Sequence, residues 1–304
     1  MSNSANGYNN VSSINNSDDL YNAMFSMEYL QSRYFAWHKF RPKLDRFLYR
    51  YAAFDANSPQ SIERIEDIIF RSQLWLSSPK DFNDPFDCEV KITTGINNNI
   101  NTIRNRLDLL FRNQRPELGG VKRQKAIAQL MNDKANVWGS FTEEIARKNR
   151  NSLGITCFSI NPRNLLMWSH YANNHTGICF EFEVLRDFLR LSKALTVNYG
   201  TTFPVYDFFT SSDTEIIQSV LHKYQDWSYE DEKRIIIPDG SNKWYKFEPR
   251  ALTKILIGSR TSDKQISKLL EIIELRNKAG LPTIRLLKAK QHLDSYKISF
   301  YSLN

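Results

Sequence analysis

Two carboxylates, Glu230 and Glu232, stand two residues apart, directly ahead of the β-branched run Ile235-Ile236-Ile237. In an extended strand alternate side chains share a face, so this pair points one way, at the mouth of a strand whose continuation reads as buried. Like charges forced together repel, and one of the two pKa values rises. That is how an acid/base or cation-stabilising site is made. Arg234 alternates onto the same face and keeps the pair from both being protonated. The plain alternative is a solvated strand entrance of mixed charge.

Three further segments are dense in functional groups. Phe82-Asn83-Asp84-Pro85-Phe86-Asp87 carries turn chemistry throughout, since Asn and Asp fold their side chains onto local backbone. Its reading divides between a structural turn and direct ligand contact through Asn83 and Asp84. Met167-Trp168-Ser169-His170-Tyr171-Ala172 places Trp, His and Tyr within one helical turn or so, and they cannot all be buried on one face. Met167 and Tyr171 read as core. Trp168, His170 and Tyr171 also suit stacking on a flat ring such as a nucleobase or nicotinamide, although a lone histidine is more often a satisfied structural group. Asn161-Pro162-Arg163-Asn164 sits at a helix start, where amides and a guanidinium together favour a phosphate. A surface arginine is the commoner case. Neither glycine-rich phosphate-loop pattern occurs, and no G-x-S-x-G elbow is found.

Composition sets the frame for these groups. The chain has 304 residues, 41% hydrophobic and 24% charged, the profile of an ordinary soluble globular protein. A net charge of +8 favours polyanionic partners such as nucleic acid, or a negatively charged cofactor. A generic basic surface explains it equally well. Cys88, Cys157 and Cys179 form no C-x-x-C pair and read as reduced core thiols of a cytoplasmic protein. Clustered Cys and His ligands are lacking, so no metal site is expected. The opening MSNSANGYNN does not read as a signal peptide, and no apolar run approaches the roughly 20 residues of a membrane helix.

The elements that must position these groups follow from periodicity. Residues 1–45 read as a disordered start and a helical extension, with Leu20, Met24, Met27 and Leu30 at helical spacing between Asp18 and Trp37. Residues 46–304 read as the main domain, with a helical insertion at about 97–151. Strands are expected at Phe47 to Tyr51, Leu74 to Leu76, Gly154 to Ser159, Gly177 to Glu183, Leu195 to Tyr199, Thr253 to Gly258, Pro282 to Leu287 and Lys297 to Tyr301. Helices are expected over Ser61 to Arg71, Leu165 to Tyr171, 214–225 and Asp263 to Lys278. Without a strict βαβ repeat, this order predicts an α+β domain with a mixed or antiparallel sheet.

Leu48-Tyr49-Arg50-Tyr51, Phe82 to Asp87, Cys157-Phe158-Ser159, Met167 to Gly177 and Trp227 to Arg234 occur in that order, followed by Ile255 to Gly258. Together they resemble the bacterial domain of unknown function 2971 family over about residues 47–290. The layout also resembles ADP-ribosyltransferases, which carry Arg or His on a first strand, Ser or Tyr on a central strand and a catalytic Glu on a later one. Phe158 to Trp168 is similar to a stretch of the DNA-modifying ADP-ribosyltransferase toxins whose arginine contacts the cofactor and helps catalysis. The chain departs from many such enzymes in having Tyr49-Arg50-Tyr51 where they have histidine.

This resemblance implies an ADP-ribosyltransferase-like fold and NAD as substrate. It implies Glu232 as the carboxylate that stabilises positive charge, Glu230 as its partner and Arg163 as a catalytic group. Tyr49, Arg50, Tyr51 and Ser159 would bind NAD together with Asn83, Asp84, Trp168, His170 and Tyr171. The acceptor would be nucleic acid or protein, and a toxin or phage-defence role follows by analogy. Two other readings stand beside it. One is a non-enzymatic module that binds nucleic acid or protein. The other is a Mg²⁺-dependent phosphodiesterase using Asp84, Asp87 and the glutamate pair.

Overall fold

The computed structural model describes residues 44–93, 99–132, 137–209, 217 and 220–303. The helix expected over Asp18 to Trp37 lies outside these residues, as do 214–216, 218 and 219 of the helix expected over 214–225. Among the described residues no helix is long and apolar enough to cross a membrane.

Alternation of Leu48, Tyr49, Arg50 and Tyr51 makes Phe47–Ala52 a strand with two working faces, β1. Ser58 then accepts a hydrogen bond from the Ser61 amide and Pro59 opens the first turn, so helix α1 starts at Pro59 and runs to Ile69. Gln73–Leu76 is β2 and Lys91–Thr93 is β3. The insertion follows as Ile100–Gln114 (α2), Gly120–Asn132 (α3) and Val137–Ser152 (α4). Next come β4 (Gly154–Ser159), α5 (Leu165–Tyr171), β5 (Ile178–Glu183), α6 (Phe188–Leu191) and β6 (Leu195–Thr196). Short strands β7 (Asn198–Gly200), β8 (Val205–Asp207) and β9 (His222–Tyr224) precede β10 (Glu232–Ile237). The chain ends with β11 (Lys243–Lys246), β12 (Leu252–Ile257), α7 (Asp263–Lys278), β13 (Arg285–Gln291) and β14 (Ile298–Ser302).

Eight strands form one sheet in the order β14-β13-β12-β5-β1-β4-β10-β6. Every pairing in it is antiparallel except β12 with β13, which α7 connects as a crossover. One face carries Leu48, Phe158, Phe180, Phe182, Ile235 and Ile255 and packs on Ile65 and Ile69 of α1 and Leu269 and Ile272 of α7. The other face carries Tyr49, Tyr51, Cys179 and Leu256 against Met167 and Trp168 of α5. It continues through Ile155, Leu195 and Ile236 to Val220 and Leu221. The insertion has its own cluster, Leu107, Ile127 and Ile145 with Tyr206, Phe208 and Phe209.

The α+β class and the mixed, largely antiparallel sheet are as expected. Three local expectations differ. The helix expected to reach residue 225 has given way by His222, because β9 pairs in parallel with β7. Leu195 to Tyr199 splits into β6, which joins β10, and β7, which joins β9. Gln225–Glu230 is a short 3₁₀ turn, so β10 begins only at Glu232.

Candidate active site

Glu230 and Glu232 do not alternate along one strand. Asp231, at a left-handed φ of 46°, lies between the 3₁₀ turn and β10. The two carboxylates nevertheless converge, because both reach Lys223 on β9. The Lys223 ammonium lies 2.6 Å from Glu230 Oε2 and 3.3 Å from Glu232 Oε2. It is also 3.3 Å from Asp87 Oδ2, at the end of the Phe82-to-Asp87 loop. Arg234, two residues along β10 and on the same face as Glu232, donates from Nε to Glu232 Oε1 at 2.8 Å and from Nη2 to Glu232 Oε2 at 2.9 Å. The same Nη2 donates to Asp87 Oδ2 at 2.7 Å. All five groups are buried. With all three carboxylates ionised against the two cations, the buried cluster carries one negative charge in excess.

The protonation states follow from this arrangement. Burial by itself would push the Glu232 carboxyl up, but the charges of Arg234 and Lys223 outweigh it and hold the group down to about 2. Glu230 goes the other way. Burial raises it, Lys223 opposes, and the Glu232 charge adds to the rise. Lys223 is disfavoured as a cation by burial, yet Glu232, Asp87 and Glu230 hold it protonated above its ordinary range. Tyr171 donates its O–H to Glu230 Oε1 at 2.5 Å, and burial followed by that carboxylate pushes the phenol up. The two glutamates therefore differ: Glu232 is ionised at neutral pH, and Glu230, pushed upward, is the one closer to exchanging a proton.

A cavity of about 190 Å³ opens onto this cluster. Tyr49, Arg50, Tyr51, Asn83, Ser159, Tyr171, Glu230 and Glu232 all line it. Strand register sets the arrangement, because Tyr49 stands directly opposite Ser159, and Ser159 directly opposite Glu232. Directly opposed residues share a face, so Tyr49, Ser159 and Glu232 form one line across β1, β4 and β10. Arg50, one residue along, starts from the other face, and its long side chain reaches the cavity edge where β1 and β4 part. Strands β1 and β4 pair only at Tyr49 and Ser159. Beyond that point Arg50 Nη1 donates to Thr156 Oγ1 at 2.7 Å and to the Cys157 carbonyl at 3.1 Å, spanning the gap between the diverging strands. Among the described residues no carboxylate pairs with it.

The remaining expected site residues lie elsewhere. Asp84 accepts the Phe86 amide at 2.9 Å and lines a second, outer cleft. Arg163, Trp168 and His170 line neither space, contrary to the sequence expectation. Helical spacing explains this: Met167 and Tyr171, four apart on α5, face the cavity. Trp168 is then turned into the core, donating Nε1–H to the Pro162 carbonyl at 2.9 Å with its ring edge-on to Tyr51. His170 is left exposed beside Tyr171 and Tyr229. Arg163 is exposed, with its guanidinium over the Phe300 ring.

Lys223 is the central residue that sequence reasoning missed, and Tyr199, whose phenol oxygen accepts the Glu232 amide at 3.0 Å, is another. Only one signal pointed to Lys223: two adjacent buried carboxylates and one Arg234 leave negative charge to be balanced. Asp87, Glu230 and Glu232 surround the Lys223 ammonium, which fills the centre that a divalent ion would need. Cys88, Cys157 and Cys179 are free thiols, and Cys157 hydrogen-bonds the Glu232 carboxylate.

The fold and site thus define an α+β protein with a buried charge cluster and a cavity at the join of three neighbouring strands. The family model described as Protein of unknown function (DUF2971) matches residues 167–235, from within α5 to the middle of β10. That span supports this family and includes Tyr171, Lys223, Glu230, Glu232 and Arg234. No curated protein and no solved structure matches the chain.

Proposed function

We propose that this chain is an ADP-ribosyltransferase-type enzyme that consumes NAD, with its reacting centre in the cavity between β1, β4 and β10. The observation that carries this reading is the line Tyr49–Ser159–Glu232 across three adjacent strands, beside a buried cluster with one negative charge in excess. Ser159 and Glu232 are two of the positions that the resemblance to ADP-ribosyltransferases implies, and on β1 Tyr49 rather than Arg50 stands in register with them.

Cleavage of the nicotinamide–ribose bond develops positive charge on the sugar. Glu232 is a carboxylate ionised at neutral pH and held at both oxygens by Arg234, so it need not reorganise as that charge appears. Glu230 has the raised pKa suited to accepting a proton from the attacking group, and the Tyr171 hydroxyl orients it. The buried excess of negative charge favours a cationic ring in the cavity over an anionic one. About 190 Å³ is below the roughly 300–1,000 Å³ of a complete small-molecule site. The cavity therefore suits the nicotinamide–ribose end alone, with the rest of the dinucleotide lying towards the outer cleft through Asn83 and Lys223, which line both spaces.

The test is release of nicotinamide from NAD by the purified chain. Glu232→Gln keeps the shape and removes the charge, and turnover should fall about 100-fold or more, as when a single charge-stabilising group is lost from a preorganised site. Equal turnover by parent and variant would falsify the assignment of Glu232.

A further inference from the structure

The outer cleft measures about 970 Å³ and its walls are aromatic. Phe86 and Phe203 are 65% and 48% exposed, so neither ring is covered by the protein. Their planes lie within 22° of each other and their centroids are 6.5 Å apart, near the far limit for a touching aromatic pair. That separation is close to twice the roughly 3.4 Å rise of stacked nucleotides. Tyr224 and Trp227 continue the same wall towards Lys223. Large aromatic rings left exposed around a concavity mark a binding site rather than ordinary surface.

The polar groups narrow the ligand. Glu89 is neutralised by a two-point pair with Arg150, at 2.9 and 2.7 Å, and Lys223 is committed to the carboxylate cluster. Asp84 is held by the Phe86 amide. Lys91 is exposed on the cleft wall with no carboxylate partner among the described residues. The Thr201 and Thr202 side chains add neutral donors and acceptors. Stacking faces, neutral hydrogen-bonding groups and one available ammonium match a planar heterocycle carrying a phosphate.

We propose that the outer cleft is a nucleobase site, in which Phe86 and Phe203 hold the ring and Lys91 meets its phosphate. This rests on the proposed function only for what the ring does there. Two sources share the chemistry: the adenine end of the dinucleotide, or an unpaired base of a single-stranded nucleic-acid acceptor.

The experiment titrates the full chain, at low salt, with AMP and separately with a fluorescein-labelled single-stranded oligonucleotide. Phe86→Ala and Phe203→Ala are each expected to weaken binding about tenfold, the loss typical of one stacking face. Both residues are exposed, so circular dichroism and melting temperature should match the parent. Weakened AMP binding assigns the cleft to the dinucleotide. Weakened oligonucleotide binding with no AMP affinity assigns it to the acceptor. Neither probe binding the parent, or both variants binding as the parent does, overturns the proposal. Glu232→Gln separates the two proposals, because it should bind the ring normally whether or not the chain turns over NAD.

Discussion

At the residue scale, the site depends on a lysine surrounded by three carboxylates. Burying each charge costs several kcal/mol, and only dense, well-directed contacts offset that. Removing one partner strands the others. Lys223→Met is therefore expected to lose about 3–5 kcal/mol of stability at pH 7 in urea unfolding. The deficit should shrink towards pH 4, because a protonated Glu230 needs no cation. An equally large deficit at both pH values would contradict this account.

Glu232 makes a separate contribution. Its folded pKa lies below the ordinary glutamate value of about 4.3, so its stabilisation is complete above that value and is lost as pH falls through about 2. Two pKa units correspond to on the order of 3 kcal/mol. Glu230 has the opposite sign: its raised folded pKa makes its contribution decline as pH rises past the unfolded value. Unfolding curves from pH 7 to pH 2.5 should show a smaller loss on acidification in Glu232→Gln than in the parent. Parallel curves would count against the charge pairing.

At the scale of elements, α5 and the Gln225–Glu230 turn act as one piece. Asn164 caps α5 by accepting the amides of Leu166 and Met167 at 2.9 and 3.2 Å. Its side-chain amide also donates to the Tyr229 carbonyl at 2.6 Å, next to Glu230. Asn164→Ala should cost about 1–2 kcal/mol for the cap. It should also reduce turnover more than that stability loss explains, since Glu230 loses its anchor. Melting temperature and turnover measured on one preparation separate the two effects, and unchanged turnover per folded molecule would remove the second. After α5 the chain reverses through Asn173, Asn174 and His175, all at positive φ. Gly177 follows, and a Cβ there would come within 2.3 Å of the Ala52 carbonyl oxygen and 2.9 Å of that of Ala172. Both contacts are backbone, so Gly177→Ala must push β1 or α5 aside. It is expected to lower the melting temperature and, under the proposed function, to weaken NAD binding with it.

At the scale of the whole molecule, the sheet separates the main core from the charge cluster. Its apolar face, with Phe180 and Phe182 fully buried against α1 and α7, carries the main core. Truncating either phenylalanine to Ala should cost about 3–5 kcal/mol without a specific effect on the cavity. The opposite face carries the charge cluster. The net charge of +8 belongs to this scale as well. Association with a single-stranded polyanion should weaken with salt, with a log–log slope of roughly −0.7 per phosphate neutralised. Under the proposed function, a flat plot would remove nucleic acid as acceptor and favour a protein one, and the role proposed for Glu232 would stand.

The sequence alone determined what depends on near neighbours. Alternation located β1, β4, β5 and the Ile-rich part of β10, and the i, i+2 spacing placed Arg234 beside Glu232. Turn chemistry marked Phe82 to Asp87. The tertiary structure alone decided which distant groups meet. Asp87 and Arg234 are 147 residues apart in the chain, and no local pattern encodes their 2.7 Å contact. Lys223 looked like one more polar residue of a helix until the pairing of β9 with β7 made it a strand residue aimed at three carboxylates. Trp168 and His170 drew notice as residue types, but their faces were set only when α5 docked on β1. Tyr49 rather than Arg50 shares a face with Ser159 and Glu232 because a one-residue step in a strand exchanges faces, and register is a property of the assembled sheet.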